Sequence, residues 1–302
     1  MVEDGAEGLA ELSSELFAHT GRAYTVGVTG SPGVGKSTLA GALVAHARRR
    51  ELSVAVLAVD PTSPFSGGAL LGDRLRMQEH ATDPGVFIRS MATRGHLGGM
   101  ALAAPEAIRV LDAAGMDLVI VETVGVGQAE VEVAAATDTT LVVVSPGWGD
   151  AIQVAKAGIL EVADVFVVNK ADRDGAAAAV RDLEQMIRMG PPLDWTPPVV
   201  STSATTGMGI EELWDAMVRH RRHEEATGGL DERRRERLLR EVAALAGERI
   251  RGLVRRRLDA DRTLVDDLVS RRRDPLTAAA ALVASVTSAA DVASAHDGGG
   301  GP

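Results

Sequence analysis

Short apolar runs recur along the chain as far as Ser203, separated by longer mixed stretches. Leu118-Val-Ile-Val121 and Leu141-Val-Val-Val144 are continuous rather than alternating, as in strands buried on both faces. The pattern predicts strands at Tyr24–Thr29, Ser53–Asp60, Val86–Met91, Asp117–Thr123, Thr139–Ser145, Asp164–Asn169 and Pro198–Ser203. The segments between them are long enough for crossover helices. A doubly wound α/β domain with a mostly parallel sheet follows. A short leading helix is expected over 7–20, and a helix near Gly209–His223 closes the domain. Ala226-Thr-Gly-Gly229 then interrupts the pattern. Beyond it Leu238, Val242, Leu245, Ile250, Leu253 and Leu258 fall roughly at helical spacing in an Arg-rich stretch. A short helix over Asp261–Ser270 and an Ala-rich one from Asp274 follow, with Pro275 suited to a first turn. Gly298–Pro302 reads as a disordered tail. The expected organisation is an N-terminal helical extension at 1–23, a main domain at 24–225, a helical arm at 226–297 and the tail at 298–302.

Composition narrows the class. A chain of 302 residues can bury a substantial core, and with 45% hydrophobic but only 3% aromatic residues that core is aliphatic. The absence of Cys excludes disulfides, thiolate metal sites and cysteine catalysis. The acidic start Met1-Val-Glu-Asp-Gly-Ala-Glu7 lacks the regions of a signal peptide, and no apolar run is long enough to span a bilayer, so a cytoplasmic protein without a membrane partner is expected. A net charge of −10 argues against nucleic acid as a partner. Charge is nonetheless uneven: Leu230–Arg273 holds fourteen Arg against nine Asp or Glu. That run reads either as a solvated helical face or as a docking or dimer arm.

The chain has three lysines, Lys36, Lys156 and Lys170, against twenty-nine arginines. Lysine persists where a compact ammonium does what a flat guanidinium cannot. Lys36 closes Gly30-Ser31-Pro32-Gly33-Val34-Gly35-Lys36-Ser37, a phosphate-loop pattern placed between a predicted strand and a predicted helix. Gly30, Gly33 and Gly35 let backbone N–H groups converge on phosphate oxygens, and the helix start, with Ser31, Pro32, Val34 and Thr38 completing the loop, adds its dipole. Lys36, read as a surface-loop cation, would reach the β- and γ-phosphates and the Ser37 hydroxyl would ligate Mg²⁺. Asp60, at the end of its strand, is placed to hold the ion; the alternative is a loop cap before Pro61. Asp73 lies on a Gly-rich segment, where a helix N-cap is an equal reading. Glu122-Thr-Val-Gly125 keeps the carboxylate and glycine of the Asp-x-x-Gly seen in many GTPases, Gly125 sensing the γ-phosphate. Gln128 either orients water or starts a helix.

Lys170 lies in Asn169-Lys-Ala-Asp172. The Asp172 carboxylate can accept from guanine N1–H and its exocyclic amine, whereas adenine offers an acceptor at N1. The lysine stem covers the base, Asn169 braces the loop, and Ser201-Thr202-Ser203-Ala204 could support the base through a backbone N–H. Lys156 follows the Gly/Pro loop Ser145-Pro-Gly-Trp-Gly-Asp150 and Gln153, either as a functional cation or as a solvated helix residue.

Val119-Ile-Val-Glu-Thr-Val-Gly-Val-Gly-Gln128, Asp60-Pro-Thr-Ser63 with Ser66-Gly-Gly-Ala-Leu-Leu-Gly-Asp73, and Gly95-His-Leu-Gly-Gly99 resemble the MeaB/ArgK-type GTPases, chaperones of adenosylcobalamin-dependent acyl-CoA mutases. The resemblance runs from about Tyr24 to His223. It implies a signal-recognition-like G domain, GTP hydrolysis with Mg²⁺, a homodimer through C-terminal helices, and nucleotide-gated loading and removal of the mutase's cobalamin. By motif, Asp60, Asp73 and Glu122 resemble the family's acidic metal-site residues, and Asp150, Gln153 and Lys156 its third switch. Thr62-Ser63-Pro64-Phe65-Ser66 replaces the Ser-Ser-Thr-x-Thr-like stretch often seen in the family. Two rivals remain beside this reading. A P-loop small-molecule kinase would need an acceptor pocket and a base that no motif supplies. A metal-delivery GTPase of related fold would usually bring Cys or His clusters, whereas the seven His here are scattered.

Overall fold

A computed structural model describes residues 8–60, 80, 82–92, 99–123, 129–147 and 162–287. Its strands are β1 (Tyr24–Thr29), β2 (Val54–Asp60), β3 (Val86–Ala92), β4 (Leu118–Thr123), β5 (Thr139–Val144), β6 (Val165–Val168) and β7 (Val199–Ser201). These described strands form one sheet in the order β3-β2-β4-β1-β5-β6-β7, with every pairing parallel. The continuous apolar runs lie in it as expected: β1, β4, β5 and β6 are buried at every position. On one side of β1 lie β4, β2 and β3, the chain returning inward to insert β4 beside β1, and on the other β5 to β7 follow in chain order. Loops at the carboxyl ends of the central strands therefore converge on a single crevice.

Helices cover both faces. On one, α2 (Lys36–Arg48) and α6 (Ile210–Thr227) meet the sheet through Leu39, Leu43, Val44, Leu213 and Met217. On the other, α3 (Gly99–Ala113) and α4 (Ala129–Ala136) pack Ala104, Ile108, Leu111 and Val133 against β2 and β4. α5 (Ala176–Met189) packs Leu183 near Phe166 of β6. The leading helix is α1 (Leu9–Phe17).

Past Gly228 come α7 (Gly229–Ala260), α8 (Arg262–Val269) and α9 (Pro275–Thr287). Contacts divide the chain into one compact unit through Arg237 and a second from Leu238. In the second unit Leu264, Ala278 and Leu282 form a small core with Val254 and Leu258. Side chains cap its helices: Asp261 accepts from the Leu264 N–H at 3.0 Å and Asp274 from the Thr277 N–H at 2.9 Å. Pro275 occupies the first position of α9, where its missing N–H is harmless.

The Arg-rich run is not simply a solvated face. Arg233 on α7 holds Asp164 through two nitrogens, at 3.1 and 2.9 Å, and Glu224 at 2.9 Å. Arg234 and Arg237 hold Asp138 at 2.8 and 3.0 Å. These carboxylates stand just before β5 and β6 and are buried, Asp138 only 1% exposed. Asp138 also accepts from the Thr25 N–H at 3.2 Å, and Asp164 from the Thr140 N–H at 2.8 Å. Burial alone would raise both carboxyls; Arg234, Arg237 and the Thr25 N–H at Asp138, and His220 and Arg233 at Asp164, outweigh it and hold both below the usual carboxylate range. The stability from these pairs is therefore complete above the ordinary aspartate value of about 3.9 and is lost as pH falls through the lower folded values. Asp138→Ala should cost about 3 kcal/mol at neutral pH, since it leaves two guanidinium groups facing the interior. It should also flatten the acid limb of the stability profile. Urea melts of both proteins between neutral pH and pH about 3 check this, and an equal ΔΔG at both ends would contradict it.

Candidate functional site

The crevice at the carboxyl edge is built from the phosphate loop outward. Val34 is 1% exposed and roots the loop in the core between β1 and α2. Gly30 has φ +135°, and a Cβ there would stand 2.1 Å from the Val143 carbonyl oxygen; only glycine lets the loop leave β1 so close to β5. At Gly35, φ +96°, a Cβ would stand 2.5 Å from Asn169 Nδ2. The phosphate loop and the Asn-Lys-x-Asp loop thus touch, and side chains fasten them. Asn169 Nδ2 donates to the Val34 carbonyl at 2.9 Å, and Lys170 Nζ to the Gly33 carbonyl at 2.6 Å. Asn169 Oδ1 accepts in turn from the Ala204 N–H at 3.1 Å and the Thr202 hydroxyl at 3.2 Å. Three loops, after β1, β6 and β7, are laced through one asparagine that is 2% exposed.

Lys36 departs from its expectation as a surface cation. It is 6% exposed, and its Nζ donates to the Gly30 carbonyl at 2.7 Å and the Ser31 carbonyl at 3.1 Å. The aliphatic stem packs inward while the ammonium stays at the loop. Ser37 Oγ donates to Glu122 Oε1 at 2.6 Å, joining the start of α2 to the end of β4, both residues being buried. A hydroxyl and a carboxylate at this distance are hard oxygen donors of the kind Mg²⁺ takes. One position beyond Glu122, the Thr123 hydroxyl donates to that of Thr29 at 3.3 Å, tying together the strand ends that carry the two motifs.

Lys170 sits in the left-handed region at φ +59°, a conformation costly for a residue with a Cβ and held here by its bond to Gly33. That turn sends Asp172 to the surface beside Ser203. A hydrogen bond from the Ser203 hydroxyl, aided by Asp172's own backbone N–H, holds its carboxyl below the usual range and ionised near neutral pH. Ser31 is half-buried, Pro32 and Gly33 are exposed, and Thr38 is half-buried. Asp60 closes β2 in register with Ala92, at the same sheet edge. Asp73, Gly125, Gln128, Asp150, Gln153 and Lys156 lie outside the described residues. Thr202, expected within the stretch that supports the base, instead braces Asn169 through its hydroxyl, just past the end of β7.

A parallel doubly wound sheet, a phosphate loop at the start of α2 and a guanine-type Asn-Lys-x-Asp loop fastened to it define a P-loop GTPase. The profile described as "Methylmalonyl Co-A mutase-associated GTPase MeaB" matches residues 3–259. A protein of Pyrococcus abyssi designated a GTPase is 52% identical over 258 residues, 84% of this chain and 80% of the relative. The GTPase ArgK of Escherichia coli is 40% identical over 231 residues, 75% of this chain and 70% of its own length. A crystal structure titled as a LAO/AO transport system kinase superposes with a TM-score of 0.69 at 29% identity, covering 92% of this chain and 86% of the other. The chain belongs to the MeaB family of methylmalonyl-CoA mutase-associated GTPases.

Proposed function

We propose that this chain is a Mg²⁺-dependent GTPase that acts in the cytoplasm as a chaperone of an adenosylcobalamin-dependent acyl-CoA mutase, gating cofactor loading and the rescue of damaged mutase. The observation that carries it is the lacing of the base-reading loop to the phosphate loop through Asn169 and Lys170, in a chain of this family. Gly30–Thr38 cradle the phosphates, and Lys36 exchanges the carbonyls of Gly30 and Ser31 for phosphate oxygens. Asp172 reads the guanine edge, with Ser203 and Ala204 behind it. Ser37 and Glu122, joined by Asp60 and Asp73, would hold Mg²⁺, which when bound neutralises charge on the phosphates. Gly125 follows the γ-phosphate. A homodimer through the C-terminal helices is supported by Leu239 and Val242 on α7, 58% and 64% exposed.

Lys156, in the third-switch segment, is assigned to partner-stimulated hydrolysis. A transition-state cation supplied on docking is worth about 10³–10⁵ in rate. Lys156→Ala should keep basal hydrolysis and GTP affinity but lose most of the stimulation by the mutase. Single-turnover hydrolysis with and without purified methylmalonyl-CoA mutase measures both; equal stimulation of the two proteins would make Lys156 an ordinary surface residue. The partner itself is tested by co-elution of chain and mutase in the presence of a non-hydrolysable GTP analogue. Failure to co-elute with any adenosylcobalamin-dependent acyl-CoA mutase of the native cell would overturn the chaperone assignment.

A further inference from the structure

A second cavity, of about 760 Å³, opens at the amino edge of the sheet, across it from the phosphate loop. Tyr24, the first residue of β1, and Leu118, the first of β4, line it, whereas Gly30 follows the last residue of β1. Its volume falls in the range of about 300–1,000 Å³ typical of small-molecule sites. Leu52, Met116, Leu118 and Met217 contribute apolar surface, and Tyr24 and Trp214 contribute aromatic rings.

The charges in its wall divide into committed and uncommitted groups. Asp112 accepts from three successive backbone N–H groups, those of Gly21 at 2.5 Å, Arg22 at 3.2 Å and Ala23 at 2.9 Å. Asp117 accepts from Ser53 N–H at 2.8 Å and Ser53 Oγ at 2.7 Å. Glu225 pairs with Arg221 at 2.8 Å, and the Arg221 guanidinium also lies 4.9 Å from the centre of the Tyr24 ring. The guanidinium groups of Arg22 and Arg222 have no hydrogen-bond or ion-pair partner among the described residues. Asp112 fixes the backbone on both sides of Arg22, so that side chain springs from a rigid root. Arg222 shares one stripe of α6 with Trp214 and Val218, at steps of four residues. Every carboxylate in the wall is thus occupied, while two cations unpaired among the described residues line the same cavity as its apolar and aromatic side chains.

We propose that this cavity binds a small amphipathic anion, a carboxylate or phosphate ester on an apolar or flat body, at a site separate from the nucleotide's. Arg22 and Arg222 would hold the head group, and Trp214 and the apolar wall the body. The probe is anilinonaphthalene sulfonate, titrated by fluorescence into the full chain saturated with GDP, so that the phosphate loop is filled. One saturable equivalent is expected, and its affinity should fall at least about tenfold in the double variant Arg22→Ala, Arg222→Ala, with GDP affinity and thermal transition unchanged. The paired Arg22→Gln, Arg222→Gln variant repeats the test with side-chain length preserved. Competition by octanoate assigns a carboxylate ligand, and competition by phenyl phosphate assigns a phosphate ester. Unchanged probe affinity in both double variants, several weak equivalents instead of one, or displacement by neither competitor would overturn the proposal.

Discussion

Lys36→Ala is expected to slow GTP hydrolysis by on the order of 10³-fold or more and to weaken GTP binding, while leaving the fold intact. Removing a preorganised donor aimed at developing charge typically costs about 10²–10³ in rate, and this lysine is the phosphate loop's single ammonium. It is buried, yet its Nζ donates to the carbonyls of Gly30 and Ser31, within the loop itself. Position 36 is the first residue of α2, and alanine is the best helix former. The thermal transition should therefore stay near that of the wild type. Single-turnover hydrolysis, GTP titration and a melt decide together: a folded variant hydrolysing at the original rate would remove the phosphate-loop assignment.

Asp172→Asn should exchange guanine recognition for xanthine recognition. The carboxylate is ionised beside Ser203, and it would accept both the N1–H and the exocyclic amine of guanine. Asparagine presents a donor where an acceptor is needed, at about 1–3 kcal/mol for each unsatisfied group. GTP affinity should fall at least about tenfold, and because xanthine's 2-oxo group accepts what asparagine donates, the GTP-over-XTP preference should swing by about 10³-fold or more. Competitive titration with GTP, XTP and ATP measures the swing. A variant that still prefers GTP would show that Asp172 does not read the base, and a wild type that prefers ATP would favour the kinase reading.

Much of this architecture is legible before any coordinates, for identifiable reasons. Strands buried on both faces leave continuous apolar runs, so Leu118–Val121 and Leu141–Val144 announce themselves. Expected strand ends run long where a side chain takes over from the ladder: Asp164 and Asn169 flank Val165–Val168 and use their side chains on Arg233 and Val34 instead. The phosphate and guanine motifs are local strings, and the residues around them fold as the strings require. Long-range pairing leaves no such trace. Arg233 meets Asp164 across 69 positions and Arg234 meets Asp138 across 96. Periodicity alone made that helix look like a solvated face or an arm. The signal was an aspartate standing just before each of two buried strands, which requires a buried counter-charge from somewhere. The burial of Lys36 was equally invisible, because the packing of its stem depends on the turn of the loop rather than on its string.

The proposed role of this chain is to let nucleotide state govern cofactor delivery to an acyl-CoA mutase. Its most direct test follows, by absorbance, the acquisition of adenosylcobalamin by cofactor-free methylmalonyl-CoA mutase in the presence of the full chain. The chain is supplied in turn with GTP, a non-hydrolysable GTP analogue and GDP. The rate or extent of loading should differ among the three states, and Lys36→Ala should abolish the difference. Identical loading curves with all three nucleotides, matching the curve without the chain, would contradict it.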